Sequence, residues 1–333
     1  QKRINAEQEW GHAVEMRGSH SYTKDDLNRR LDMIIGKSVA SVDYVGVLSS
    51  PKAGRNKGRI GAVIEQSVLG YPADSDQRPD LDVDGVPWEL KATGLIAAAR
   101  GKHSWRAKEL MSITAVSPDS IVNESFFESS FWHKAEHLLV IYYLYVRPGK
   151  GVAVEYASFE FKGYDFHVWS EIDCARLETD WTVVRDYIRE ALATDREAKM
   201  PGLSSLVNKE LLYLDTSPKY PHPPRFRLKA SLVTQMARER LDDNLEMIPD
   251  DGALSSMTDL IRRLANLSNL YVGRTLESIA NEFDLPLVTQ DGRENKALAE
   301  QVIVRIFTGM AGKISQIPLF AKAGLVFKTV TLT

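Results

Sequence analysis

The apolar positions change their spacing several times along the chain, and each change predicts an element. Thr23 opens a helix, with Asp26 three residues on as a capping partner; Leu27, Leu31, Ile34 and Ile35 form its apolar stripe and Gly36 closes it. A polar, Gly-containing loop from Ser49 to Gly58 leads to a second helix, whose core face is Ile60, Val63, Ile64 and Val68 and whose end is Gly70. The Pro- and Asp-rich stretch 72–84 predicts a loop, broken by Gly85 and Pro87, and Trp88–Thr93 a short strand. Leu138–Val146 is nearly continuous in apolar residues, as a buried strand would be; Gly149–Gly151 turns it into Val152–Phe161, a candidate hairpin. Trp181–Leu192 is amphipathic at helical spacing. Strands mixed with helices imply an α/β (α+β) layer fold. A boundary is expected near Asp242–Gly252, where four aspartates, a proline and a glycine cluster.

Composition narrows the class. At 333 residues, with 44% hydrophobic and 26% charged positions, the chain can bury a real core. No apolar run approaches the roughly 18 residues that span a bilayer, and Gln1–Arg17 is charged throughout, unlike a signal peptide. The single cysteine, Cys174, excludes an internal disulfide and a Cys-cluster zinc site; a cytoplasmic location and no membrane partner are the expectations. A net charge of −3 is not that of a nonspecific nucleic-acid binder, but the charge is unevenly spread. Lys52, Arg55, Lys57 and Arg59 stand without an acid between residues 51 and 60, and five bases without an acid between Lys91 and Lys108. Between these basic stretches lie Asp74, Asp76, Asp80, Asp82 and Asp84 against a lone Arg78. An acidic knot framed by bases suits a metal site beside a phosphate-binding surface.

The chain also repeats itself. With Asn56 placed on Asn295, NKGRIGAVIEQSVLG (56–70) overlies NKALAEQVIVRIFTG (295–309); SYTKDDLNRRLDMI has an upstream counterpart in VGRTLESIANEFDL, and VPWELKAT (86–93) meets AGLVFKTV (323–330), with Lys91 over Lys328. The order helix, helix, loop, strand with lysine appears twice.

The candidate chemistry is the spacing D-x6-E-x-K at Asp82, Glu89 and Lys91. Two carboxylates facing one point can hold Mg²⁺ through hard oxygens, with open positions left to water and phosphate. On a strand Glu89 and Lys91 share a face, so the lysine can orient a metal-bound water, help lower its pKa and neutralise charge on a pentavalent phosphorus. Glu65, turned away from the apolar stripe of its helix, is a candidate third carboxylate. A rival pattern, His133-Lys134-Ala135-Glu136-His137, fits the H-x-x-E-H zinc-peptidase spacing. It requires a helix across both histidines, where a strand is expected to begin. No P-loop, G-x-G-x-x-G or Gly-x-Ser-x-Gly motif is present.

Taken in order, YTKDDLNRRL, NKGRIGAVIEQSVLG, the Asp82 loop, VPWELKAT, FWHKAEHLLVIYY (131–143) and RFRLKASLVTQMA (225–237) resemble the MutH mismatch-repair endonuclease and the Sau-type GATC-cutting restriction enzymes, members of the PD-(D/E)xK nuclease superfamily. The resemblance spans most of residues 20–240. It implies a restriction-endonuclease-like mixed sheet flanked by helices, with Asp82, Glu89 and Glu65 holding the metal and Lys91 and Lys134 as active-site lysines. It also implies that the segment around Arg225, Arg227 and Lys229 reaches the bases, with Arg227 where the family has a tyrosine; with Lys57 and Arg59 these are the candidate DNA contacts.

The restriction branch carries a second MutH-like domain without an active site, matching a repeat in which Val304 stands for Glu65, Val326 for Glu89, and nothing for Asp82. The expected organisation is therefore a catalytic domain at 1–241, a linker at 242–252 and a partial, silent DNA-binding or regulatory domain at 253–333. The stretch after Pro249 is shorter than a complete second copy, so a fragment of a longer chain and a half-domain completed against another surface both stand. The expected function is a Mg²⁺-dependent type II restriction endonuclease acting on double-stranded DNA, with Mn²⁺ as a substitute metal and a homodimer or a two-site DNA complex as open assemblies. The alternatives are a mismatch-repair nickase and a catalytically silent DNA-binding protein of the same fold.

Overall fold

The computed structural model of the chain describes residues 20–50, 58–72, 78–97, 105–150, 154–195, 200–205, 207–218, 222–242 and 245–326. Lys57 and Lys328 lie outside these. Among the described residues no helix is long and apolar enough to cross a membrane. The chain divides into two compact units, one of residues 1–114, 124–169 and 237–242, the other of 115–123, 170–236 and 243–333. The break between 242 and 243 falls in the expected linker, but residues 170–236 are grouped with the C-terminal part and not with residues 1–114.

The first unit is a mixed α/β layer. Its strands are β1 (Ser21–Tyr22), β2 (Leu81–Val83), β3 (Val86–Ala97), β4 (Trp105–Ala107), β5 (His137–Leu144) and β6 (Glu160–Val168), paired in the order β1-β2-β3-β5-β6, with β4 on β3 beyond the end of β2. The β3–β5 pair is parallel and sets Glu89 opposite Leu138 and Lys91 opposite Val140. The β2–β3 and β5–β6 pairs are antiparallel. Leu138 through Tyr142 are all 0% exposed. That burial on both faces accounts for the continuous apolar run, since a strand wetted on one side would alternate. The partner of β5 is β6, which begins at Glu160 and runs on to Val168, so only Glu160 and Phe161 of the expected stretch 152–161 pair with it.

One sheet face, through Leu90, Leu139, Ile141 and Tyr143, packs on the two helices read from the sequence. Helix α1 (Lys24–Asp32) is capped by the Thr23 hydroxyl, which accepts the Asp26 amide at 3.2 Å, and buries Leu27 and Leu31; Ile34 is buried just beyond it, while Ile35 is exposed. Helix α2 runs from Arg59 to Val63 and then widens into a π segment, Ile64–Leu69, ended by Gly70 in the left-handed region. Widening lengthens the hydrogen-bond step and frees carbonyls at the end of the helix. The Glu65 carbonyl takes both the Gly70 and Tyr71 amides, the Val68 carbonyl takes the buried Arg30 guanidinium at 3.1 Å, and the Leu69 carbonyl takes the Tyr22 hydroxyl at 3.1 Å. Helix α3 (Ser130–Ala135), capped by Ser129, packs on β3 and β5 and runs almost directly into β5.

The second unit is built on α4 (Glu171–Thr194), the hairpin β7 (Leu214–Asp215) with β8 (Arg225–Leu228), the first part of α5 (Ala230–Leu241), and α6 (Met257–Tyr271), α7 (Leu276–Glu282), α8 (Leu298–Thr308) and α9 (Pro318–Ala323). Helix α4 is twice the length expected for it. Its inner face carries Asp180, wholly buried, whose carboxylate accepts the backbone amides of Leu212 (2.8 Å), Tyr213 (2.6 Å) and Leu214 (2.8 Å). Burial pushes this carboxyl up to about 6, and the three amide donors oppose that shift. Helices α7 and α8 share a small core of Ile279, Ala280, Leu298 and Val302.

Asp180→Ala would leave three buried N–H groups without an acceptor, at about 1–3 kcal/mol each. We expect the variant to lose at least about 3 kcal/mol of unfolding free energy in urea titration; a loss under 1 kcal/mol would mean that the segment 212–214 finds other acceptors.

Candidate active site

The hairpin β2–β3 sets the site. Asp84 and Gly85, with φ of 52° and 84°, form the two-residue left-handed turn that an Asp-Gly pair favours in a hairpin. The turn fixes Val83 opposite Val86, Asp82 opposite Pro87 and Leu81 opposite Trp88. Leu81 and Val83 point into the core, at 2% and 3% exposure, so Asp80 and Asp82 point to the other face, with Glu89 and Lys91. Carried one residue past Leu81–Trp88, the register sets Asp80 across from Glu89, where Cβ atoms stand about 5 Å apart.

Glu89 is 3% exposed and is the centre of the group. Its carboxylate accepts Lys91 Nζ at 2.6 Å and Lys134 Nζ at 3.2 and 3.3 Å. Lys91 comes from the same strand two residues on, whereas Lys134 comes from the last turn of α3, placed over β3 by the short link into β5. Asp80 completes the cluster: its Oδ2 accepts the Leu90 amide at 2.8 Å. Its carboxyl is raised from the ordinary range by burial first and Glu89 second; Lys91, the Leu90 amide and Lys134 pull the other way. Two carboxylates confronting each other between two ammoniums have hard oxygens for a divalent cation and a repulsion that such a cation relieves.

The expected ligand set of Asp82, Glu89 and Glu65 is not gathered at one point. Asp82 Oδ1 accepts the Gly85 amide at 3.0 Å, which turns the carboxylate onto the hairpin turn. Glu65 is the second residue of the π segment of α2, half-buried. Among the described residues no group of three or more His, Cys, Asp or Glu side chains stands ready to hold a metal. A pair, Asp80 and Glu89, fits Mg²⁺, which commonly takes one or two carboxylates and fills its remaining positions with water and phosphate. Asp80 was legible in principle: Asp-Gly after the alternation Asp80-Leu81-Asp82-Val83 marks a hairpin, and counting back from its turn puts Asp80, not Asp82, opposite Glu89.

The zinc-peptidase pattern does not survive. Helix α3 ends at Ala135 and His137 opens β5, its ring 5.0 Å from that of Trp88, so the two histidines do not share a helical face. Of the candidate DNA contacts, Arg59 stands half-buried at the start of α2, its guanidinium 6.0 Å from the ring of Tyr156. In the second unit Arg225 and Arg227 share the face of β8 opposite buried Phe226 and Leu228, and Arg227 Nε is buried without a partner. Lys229 corrects the expectation. Its ammonium donates inward to the Leu211 carbonyl at 2.5 Å, and burial lowers its pKa against the pull of Asp180 and Asp215, so it does not share the face of the two arginines.

The fold and the site define a class: a mixed sheet flanked by helices, whose long strand carries Glu-x-Lys with Asp80 just ahead of the adjoining hairpin strand, in a MutH-like region. Residues 69–168, which hold Asp80, Glu89, Lys91 and Lys134, match the model of the family described as DNA mismatch repair enzyme MutH. Over 328 residues the chain is 24% identical to the type II restriction enzyme Sau3AI of Staphylococcus aureus, a match that covers 92% of this chain. It covers 62% of that relative's length. The resemblance carried by the sequence motifs is thus found again, to MutH within one segment and to Sau3AI along most of the chain.

One buried contact holds the Lys134 helix. The Trp169 indole, at 9% exposure, donates to the Ala135 carbonyl at 2.6 Å, and His167 packs edge-on against the same ring. Trp169→Phe keeps the ring and deletes the donor, a change worth about 1–3 kcal/mol at a buried carbonyl. The amides of 132–136 should then exchange with solvent roughly tenfold or more faster, read by hydrogen-exchange mass spectrometry; unchanged exchange would show that packing alone holds α3.

Proposed function

We propose that this chain is a Mg²⁺-dependent type II restriction endonuclease that hydrolyses phosphodiester bonds of double-stranded DNA at a short specific sequence, GATC-like by resemblance. The observation that carries the reading is Glu89, buried and held by both Lys91 and Lys134, with Asp80 facing it from the neighbouring strand. Asp80 and Glu89 would hold the Mg²⁺, with Mn²⁺ able to substitute. Bound there, the ion supplies a water of lowered pKa and a Lewis acid for the phosphate. Lys91, on the face of β3 that Glu89 shares, orients the attacking water and meets the charge that develops on the phosphate oxygens. Lys134 holds the Glu89 carboxylate and adds a second positive charge, so the pair is neutralised while it awaits a cation. Asp82 serves the turn, and Glu65 stays outside the ligand pair. Arg59, Lys57, Arg225 and Arg227 are the proposed contacts to DNA, as phosphate or base contacts.

The match to a type II restriction enzyme extends over 328 residues, far beyond the segment 69–168. That extent favours the restriction reading over the mismatch-repair nickase. It also supports a C-terminal region that adds DNA affinity or an effector site in a homodimer or two-site complex. Consistent with a silent second copy, α7 and α8 pack on each other in the order in which α1 and the α2 region occur.

The test is digestion of unmethylated and methylated plasmid DNA with Mg²⁺, followed by sequencing of the ends. Glu89→Gln, Asp80→Asn and Lys91→Ala should each lose about 10³-fold or more in rate while binding persists, and EDTA should abolish cutting by the native chain. Asp82→Asn should keep most of the rate. Undiminished cutting by Glu89→Gln or Lys91→Ala would sink the assignment; loss in Asp82→Asn with survival in Asp80→Asn would return the ligand role to Asp82.

A further inference from the structure

The chain from residue 257 onward carries five arginines, and they fall into two sorts. Arg262 pairs with Asp259 (3.2 Å), Arg274 with Glu282 (2.6 Å) and Arg293 with Asp291 (3.7 Å). Arg263 and Arg305 have no carboxylate partner among the described residues, and these two line the same cavity, of about 520 Å³, within the second unit. Arg305 Nη1 donates to the Gly309 carbonyl at 3.2 Å, but its Nε is buried with no partner. A third arginine of the cavity, Arg176, is saturated: Asp250 takes two of its nitrogens, at 2.6 and 2.9 Å, and the Leu254 carbonyl a third. Asp250 is therefore spent, and Asp251, exposed, caps the Ala253 amide. Outside the Arg176–Asp250 pair the cavity thus holds two guanidiniums, that of Arg263 exposed, against the one carboxylate of Asp251, and its balance is positive.

The remaining wall is apolar, chiefly Phe307, Met310, Ile317 and Leu319. Its volume lies in the range of small-molecule sites. An apolar wall with two guanidiniums that pair with no carboxylate, and an excess of positive charge, selects an anion with a body. A carboxylate would answer one guanidinium, whereas a phosphate monoester carries close to two charges at neutral pH and accepts bidentate donation from each. We propose that this cavity binds a phosphate monoester with an apolar body of mononucleotide size, held by Arg263 and Arg305 and packed on Phe307 and Met310. The site belongs to the second unit alone and does not depend on the nuclease reading. Its phosphate has two possible sources, a free nucleotide or the 5′-terminal nucleotide of a DNA strand.

The full chain is titrated with dAMP, deoxyadenosine and inorganic phosphate, and thermal unfolding is followed. At ten times its dissociation constant dAMP should raise the midpoint by roughly 2 °C, inorganic phosphate should act only at higher concentration, and deoxyadenosine should do nothing. Arg305→Gln should abolish the shift and Arg263→Gln weaken binding at least about fivefold, while Arg262→Gln, on the adjacent but paired arginine, should leave it intact. No saturable shift with dAMP, an equal shift with deoxyadenosine, or a shift undiminished in both the Arg263 and Arg305 variants would overturn the proposal. A short 5′-phosphorylated duplex that shifts the midpoint, where its unphosphorylated twin does not, assigns the ligand to DNA ends; equal behaviour of the two, with dAMP active, assigns it to free nucleotide.

Discussion

The parallel pairing of β3 with β5 governs the geometry around Glu89. Strand β5 is buried on both faces, so its register against β3 is set by packing as well as by hydrogen bonds, and a slip would exchange its two buried faces. With that register fixed, Glu89 lies beside the first residues of β5, and α3 ends only two residues before β5 begins. The corner between helix and strand therefore delivers Lys134 to a carboxylate 45 residues away in sequence. Lys91 needs no such help, because strand periodicity alone puts it beside Glu89. A single register thus gathers charges from two elements, and the Trp169 contact holds the corner in place.

Features set by local spacing were legible in the sequence. Helices α1 and α2, the glycine stop of α2 and the doubly buried β5 follow from apolar periodicity and a left-handed terminus, whereas α1 ends at Asp32, ahead of Gly36; Glu89 with Lys91 on one face follows from alternation. What was not legible depends on pairing across distance. Strand β2 has three residues and is hidden in an acid-rich loop, where five aspartates mask the alternation that marks it. Strand β6, not the stretch after the glycine turn, pairs with β5, because only there do Leu139 and Ile141 meet apolar partners, Phe166 and Tyr164, on the core face. The inward turn of Lys229 depends on the Leu211 carbonyl, eighteen residues back, which no spacing announces. The π widening of α2 is likewise invisible locally, since side chains from β1 and α1 satisfy the carbonyls it frees.

Charge is handled in two ways in the two units. In the first, two lysines and an amide crowd a pair of carboxylates, Glu89 buried and Asp80 half-buried, into one group whose charges face each other directly. In the second, Asp180 receives only backbone amides, Asp173 and Asp250 are held below the ordinary carboxylate range by Lys322 and Arg176 respectively, and those groups have no charge left to offer. Such closed networks stiffen a scaffold; open ones recognise ligands. Arg263 and Arg305, by contrast, pair with no carboxylate among the described residues.

The Asp84-Gly85 turn has a further consequence, for how such a centre changes over generations. Because two residues in left-handed conformation set the hairpin frame, the length of the turn decides which aspartate of a run confronts Glu89. One residue more or fewer would bring Leu81 or Pro79 to the charged face, and the centre would lose its second acid outright. A turn moved one residue along the chain would slide the frame by two and set Asp82 across from Glu89 in place of Asp80. Asp80, Asp82 and Asp84 stand two residues apart, so in this hairpin the acid that faces Glu89 is a matter of frame before it is a matter of residue.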